Sequence, residues 1–243
     1  MTAAALLAEL GDRGIELWAE GERLRFRAPA GAMTPELRER IRARRAELLA
    51  RLAGERPLSS SQERFWFLQR LVPGSPAYTI PACLDLQGPL AAQALAAALT
   101  ALVGRHEALR TRGEEQDGRP IGRVEPPAPV PLPVVDLQAL PAPRRRGEAE
   151  RLAAERLRRP FDLAVAPHLR LALLRLGPGE HRLVLASHHF AADGWSMRVL
   201  LAELATLYGA AREGIRPALA AAAPFGEHAR CERRDLAAGA FSG

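Results

Sequence analysis

Apolar positions in the first fifty residues follow two different periods. Behind Thr2, a residue suited to capping a helix, Leu6, Leu7 and Leu10 recur at helical spacing, and Gly11 is read as the stop. In IELWAEGERLRFR the period drops to two: Ile15, Leu17 and Ala19 share one face, Leu24 and Phe26 share one face of a second run, and Gly21 lies between them. That pattern predicts a β-hairpin whose other face carries Trp18, Arg23, Arg25 and Arg27. Thr34 and Pro35 then open a helical stretch to about Leu52, with Leu37, Ile41, Leu48 and Leu52 on its buried side. Residues 1–52 are therefore read as a helix–hairpin–helix unit, and the polar stretch 53–57 as a linker.

From Leu58 onward helix and strand signals alternate. Helices are expected at Ser59 to Leu71, Leu90 to His106, Arg144 to Arg158 and Ser196 to about Arg212. Strands are expected at Ala82 to Leu86, within GRPIGRVEPP, at Leu169 to Leu176 and at His181 to Ser187, the last two joined by the turn GPGE. PPAPVPLPVVDL is too rich in proline for a central strand and is expected at an edge. The fold class is mixed α/β (α+β), and SHHFAADGWS falls in the loop between a strand and a helix.

Composition narrows this picture. The chain has 243 residues, 48% of them apolar, enough for a sizeable core. Its net charge is +6, yet no lysine is present, and the arginines are interleaved with acids as on solvated helix faces. No nucleic-acid motif accompanies that charge, so a nucleic-acid partner is not expected. There is no long apolar run and no signal-peptide pattern, which gives an expectation of a cytoplasmic protein without a membrane partner. Cys83 and Cys231 have no metal or redox spacing.

The chemistry concentrates in SHHFAADGWS. Neighbouring residues leaving a strand point to opposite faces, so His188 and His189 serve different surroundings, one interior and one open. With no third or fourth ligand in view, no metal is expected. An imidazole with one exposed nitrogen suits general-base work near neutral pH. No seryl or cysteinyl nucleophile with an elbow motif is present, so direct transfer between two bound substrates fits better than a covalent acyl-enzyme. Asp193 is expected to pair with an arginine, and Gly194 to let a substrate arm approach closely.

HHFAADG at His188–Gly194 resembles the HHxxxDG motif of nonribosomal peptide synthetase condensation domains. SSSQERFWFL at Ser59–Leu68, YTIP at Tyr78–Pro81, RHEALRT at Arg105–Thr111 and RPFDL at Arg159–Leu163 resemble other stretches of that family, in the family's order. The resemblance implies a chloramphenicol-acetyltransferase-like lobe over 58–243, one wall of a two-lobed tunnel. There, donor and acceptor would meet on the phosphopantetheine arms of two carrier proteins, with no cofactor bound directly. It implies that His189 acts on, or orients, the acceptor α-amine as it attacks the donor thioester, and that His188, Asp193 and Arg64 support the site's architecture. It also implies a second lobe, which does not follow within these residues, so the 243 residues alone are expected to be inactive. Departures are Ser61 in place of the usual alanine, Gly113 in place of an aromatic, where looser packing is expected, and FGEHARC at Phe225–Cys231 as the remnant of a fourth motif. Epimerising or ester-forming relatives of the same fold, and a non-catalytic interaction module, are the alternatives.

Residues 1–52 resemble the TubC-type N-terminal docking domain. That resemblance implies capture of the acidic C-terminal tail of an upstream synthetase subunit, here by Trp18, Arg23, Arg25 and Arg27, and homodimerisation through the same unit. A hairpin edge bordered by arginines suits an acidic strand added by backbone hydrogen bonds.

Overall fold

Thr2 caps the first helix, α1 (Ala3–Asp12), its hydroxyl accepting from the Ala5 amide at 3.3 Å. The computed structural model describes residues 2–52, 54–116, 118–223 and 225–237, so Ala53 of the expected linker lies outside the described residues. Helix α1 runs past Gly11. Its end is made at Gly14, which has φ 68° and leads to a hydrogen bond from the Ile15 amide to the Leu10 carbonyl. The hairpin follows as β1 (Glu16–Glu20) and β2 (Arg23–Arg27), with Leu17 opposite Phe26, Trp18 opposite Arg25 and Ala19 opposite Leu24. Alternation thus sorts the two faces as the sequence predicts. The second helical stretch is two helices, α2 (Pro35–Ala43) and α3 (Arg45–Leu52), broken at Arg44. Leu6, Leu10, Ile15, Leu17, Leu37 and Leu48 form the core of this small unit.

The polar stretch read as a linker contributes a short strand, β3 (Glu55–Arg56). It adds to β6 (Arg119–Val124), which pairs with β5 (Thr111–Gln116), giving a three-stranded sheet. Helix α4 (Ser60–Leu71) begins with a capping box: the Ser59 hydroxyl accepts from the Gln62 amide and the Gln62 side chain accepts from the Ser59 amide.

The larger sheet has the order β4 (Thr79–Gln87), β9 (Glu180–His188), β8 (Leu169–Gly177), β7 (Val134–Asp136). The β8–β9 hairpin is antiparallel, and the proline-rich segment supplies β7 as a parallel edge strand. Helices α5 (Ala92–Arg105) and α7 (Gly194–Glu213) cover one face, burying Leu99, Leu102, Leu171, Leu173, Leu183 and Leu204 together. Helix α6 (Ala142–Arg158) covers the other over Ala172, Leu174 and Val184. Both faces of β8 and β9 are therefore apolar, which explains their nearly unbroken hydrophobic runs. Helix α8 (Phe225–Ala237) contains the FGEHARC stretch. No described helix is long and apolar enough to cross a membrane.

Candidate active site

Strand β9 ends at His188, and the chain turns at once into α7. Before the turn, Thr79 of β4 pairs with His188. One residue on, the His189 amide donates to the Tyr78 carbonyl at 2.9 Å, and the Ala191 amide donates to the His188 carbonyl at 2.9 Å. The YTIP tract is thus the backbone splint for the histidine pair.

The two imidazoles are separated as strand geometry requires. His188 is buried among Phe65, Tyr78 and Phe161, whose ring centres lie 5.9 to 6.3 Å from its own. Its Nδ1 accepts from the Phe190 amide at 3.0 Å, which places the proton on Nε2. His189 is exposed, and its ring stacks on Phe65 at 5.6 Å with 21° between planes. Among the described residues nothing is hydrogen-bonded to its imidazole.

Asp193 corrects one expectation. Its carboxylate caps α7, Oδ1 accepting from both the amide and the hydroxyl of Ser196 at 2.7 Å, and it has no arginine partner among the described residues. These hydrogen bonds, first that from the Ser196 amide, hold its pKa below the ordinary carboxylate value. An N-cap satisfies the carboxylate within three residues and fixes the start of α7 beside the histidines. Gly194 is the first helical residue, and a Cβ there would meet nothing within 4 Å. Arg64 is exposed on α4, its guanidinium 5.0 Å from the Phe65 ring.

Gln62, inside the first motif, is buried and donates to the Phe190 carbonyl at 3.1 Å, so α4 and the post-histidine turn are tied directly. Gly113 reverses the expectation of loose packing. A Cβ at that position would lie 2.6 Å from Cδ1 of Trp66, because the indole already fills the place of an aromatic at 113. Leu58, Phe65, Trp66, Leu163 and Phe190 make one cluster beneath the site.

Two residues that the motifs do not point to complete the support. Glu203 of α7 receives Arg105 Nε at 2.9 Å and lies 2.7 Å from His106 Nε2, which binds the RHEALRT segment to α7. Burial pushes the Glu203 carboxyl up, but hydrogen bonds from Arg105 and His106 outweigh it and the net pKa is lowered. His168, fully buried, donates from Nε2 to the Thr111 carbonyl at 2.8 Å, while the Ser187 hydroxyl donates to the His168 carbonyl.

Burial pushes the pKa of both His168 and His188 down to about 4. Both imidazoles are therefore neutral at pH 7. An unfolded chain protonates them near 6.5, so their contribution to stability is fully present above pH 6.5 and is lost as pH falls towards 4. For His168 alone the loss by pH 5 is about 2 kcal/mol. Denaturant unfolding from pH 7 to 5 is expected to show this decline, and His168→Gln, which keeps a donor for Thr111, to flatten it. An unchanged slope in that variant would contradict the neutral buried histidine.

No group of three or more His, Cys, Asp or Glu residues able to hold a metal occurs among the described residues. The site is an open imidazole on a rigid strand end, braced from behind by a neutral histidine and from the side by an aromatic ring.

Comparison with known proteins gives the family. Residues 52–241 match the family model of the condensation domain, and residues 4–53 match that of the TubC N-terminal docking domain. The chain is 47% identical over 161 residues to a protein of Salinispora arenicola described as "Probable non-canonical nonribosomal peptide synthetase (NRPS) CymA", covering 66% of this chain and 2% of that protein. It is 43% identical over 161 residues to the phosphinothricin tripeptide synthetase PhsC of Streptomyces viridochromogenes, covering 66% of this chain and 15% of that one. Among solved structures, the first condensation domain of the CDA synthetase superposes with a TM-score of 0.70 at 30% identity, over 77% of this chain and 48% of the other. The starter condensation domain of the rhizomide synthetase RzmA gives 0.68 at 25%, over 75% and 44%.

The chain belongs to the condensation domain family of nonribosomal peptide synthetases, and a TubC-type docking domain precedes the condensation lobe. It spans a small fraction of the curated synthetases it matches and about half of the solved condensation domains.

Proposed function

We propose that this segment belongs to a synthetase polypeptide in which the docking unit captures an upstream partner and the lobe supplies one wall of an amide-forming tunnel. The observation that carries the catalytic part is His189: exposed at a strand end, fixed through its backbone by Tyr78 and through its ring by Phe65. In the reaction, the acceptor's α-amine nitrogen bonds to the donor's thioester carbonyl carbon, the C–S bond breaks, and the amine proton passes to the departing thiolate. His189 orients the amine and relays that proton. An α-amine with a pKa of about 7.7 to 8.0 is already partly neutral at pH 7, so holding it at the carbonyl contributes more than removing its proton. Both substrates arrive as phosphopantetheine thioesters of carrier proteins, and the open space at Gly194 admits such an arm. His188, neutral and buried, holds the turn, and Asp193 holds the helix. Ester formation or epimerisation uses the same lobe, and the product separates these readings.

For docking, the outer edge of β2 borders a groove of about 350 Å³. Leu24, Phe26, Met33 and Ile41 form its apolar lining, and Arg23, Arg25, Arg38, Arg42 and Arg45 also line it. Phe26 is 44% exposed although it sits on the apolar face of the hairpin. An acidic tail with one apolar anchor fits as an added strand on β2. Of the three strand arginines, Arg25 is held by Glu20 at 2.7 Å and Arg27 has Glu16 3.9 Å away, while Arg23 is in no ion pair among the described residues and is the one best placed to meet an acidic tail. A fluorescent acidic C-terminal peptide titrated against the chain is expected to bind, more weakly as salt rises, and to lose about tenfold in affinity with Arg23→Glu plus Arg42→Glu. Binding indifferent to both salt and these substitutions would exclude the groove.

A further inference from the structure

The hairpin has two polar features that the groove does not use: the ring of Trp18, and the carboxylates of Glu16 and Glu20 on either side of it along β1. All three lie on the face opposite the small unit's core. That face is not open. The guanidinium of Arg230, from α8 of the lobe, stands 5.2 Å from the Trp18 ring centre, and Trp18 is half-buried. Arg230 is itself half-buried, and its Nη1 is enclosed without a hydrogen-bond partner among the described residues. A cation enclosed in this way needs an electron-rich neighbour, and the indole face supplies one, while the flanking Glu20 and Glu16 are paired with Arg25 at 2.7 Å and with Arg27 at 3.9 Å.

Helix α8 is in turn fastened to the lobe at the start of α4. Arg233 donates from Nε to the Leu58 carbonyl at 2.9 Å and pairs with Glu63, while the Ser60 amide donates to Glu232 at 3.0 Å. At the start of α8, a Cβ on Gly226 would collide with Cδ of Arg56 in β3, so helix and strand are in direct contact there.

We propose that the polar face of the docking hairpin is an internal interface, in which Trp18 and Arg230 lock the docking unit onto α8 so that the two units move as one body. Trp18 is then an anchor between domains and not a peptide contact, and the β2 groove is left facing outward. Resting on the docking function proposed for that groove, this fixes the direction from which a captured tail leaves the lobe.

Backbone ¹⁵N relaxation on the full 243-residue chain tests the lock without any peptide. Residues 2–52 and the lobe are expected to share one rotational correlation time. Arg230→Glu, which sets three carboxylates against one another, and Trp18→Ala are expected to abolish that sharing, while Arg230→Lys retains it. Amide spectra that keep their dispersion in both units separate unlocking from unfolding. A shorter correlation time for residues 2–52 in the unsubstituted chain would overturn the proposal. So would a loss of peptide affinity in Trp18→Ala with tumbling unchanged, since that would make Trp18 a docking residue. Failure of every peptide to bind, with the common correlation time intact, would count against the docking function and leave the lock standing.

Discussion

Replacing His189 by alanine in the complete condensation domain is expected to lower the rate of amide formation between loaded carrier proteins by about 10²- to 10⁴-fold, the range typical of a positioned acid–base group. Folding should be nearly unaffected, because the side chain is exposed and its role in the scaffold is carried by its backbone amide, which alanine keeps. His188→Ala should behave differently. It removes an acceptor from the Phe190 amide and empties a site among three aromatic rings, so stability and activity should fall together. Rates from single-turnover transfer, set beside denaturation midpoints of the same variants, check this split. Comparable stability losses in both variants would contradict the division between an acting and a supporting histidine.

Gly113→Phe is expected to destabilise the lobe by about 3 kcal/mol, at the upper end of what overpacking costs. The aromatic that the family resemblance leads one to expect at 113 has nowhere to go, since Trp66 already occupies that space. Trp66→Ala alone should cost about 3 to 5 kcal/mol through the cavity it leaves. Combined, the two changes exchange one ring for another across the same cavity and should fall short of the sum by at least about 1 kcal/mol. Urea unfolding of the four proteins gives the coupling. Additive losses would show that Trp66 does not stand in for the missing ring.

This exchange illustrates what a sequence can and cannot disclose. The hairpin register is legible because one apolar face and one polar face leave a single alignment, and Leu17 opposite Phe26 follows from it. The histidines' opposite environments are legible for the same geometric reason. Of the small sheet only β6 is legible, as the strand expected within GRPIGRVEPP. β5 reads TRGEEQ, with no apolar alternation, and ion pairs of Arg112 with Glu125 and of Arg123 with Glu114 accompany its pairing with β6. β3 is only two residues long and depends entirely on its partner strand.

At the site, Asp193 invites a search for a distant arginine, yet a serine three residues away is enough. Local capping is the commoner fate of an aspartate before a helix, and Ser196 is the available signal. Glu203 also leaves a trace. It lies between Leu200, Leu204 and Leu207, the buried stripe of α7, and a carboxylate there implies a cation facing it. His168 leaves none, because a lone histidine in a proline-bearing loop gives no hint of burial until the strands are paired. Trp18 and Arg230 stand near opposite ends of the chain, so only the fold could bring them together.

Whether this lobe serves amide formation can be read from the mass of the acceptor. A complete condensation domain carrying this half is mixed with a donor-loaded and an aminoacyl-loaded carrier protein, and the intact acceptor protein is weighed after one turnover. The expected result is a mass gain equal to the donor acyl group less one hydrogen, linked as an amide that survives mild alkaline treatment once released from the carrier, and greatly reduced in His189→Ala. Transfer to a hydroxyl acceptor alone, or inversion of the donor's α-carbon with no transfer, would contradict it.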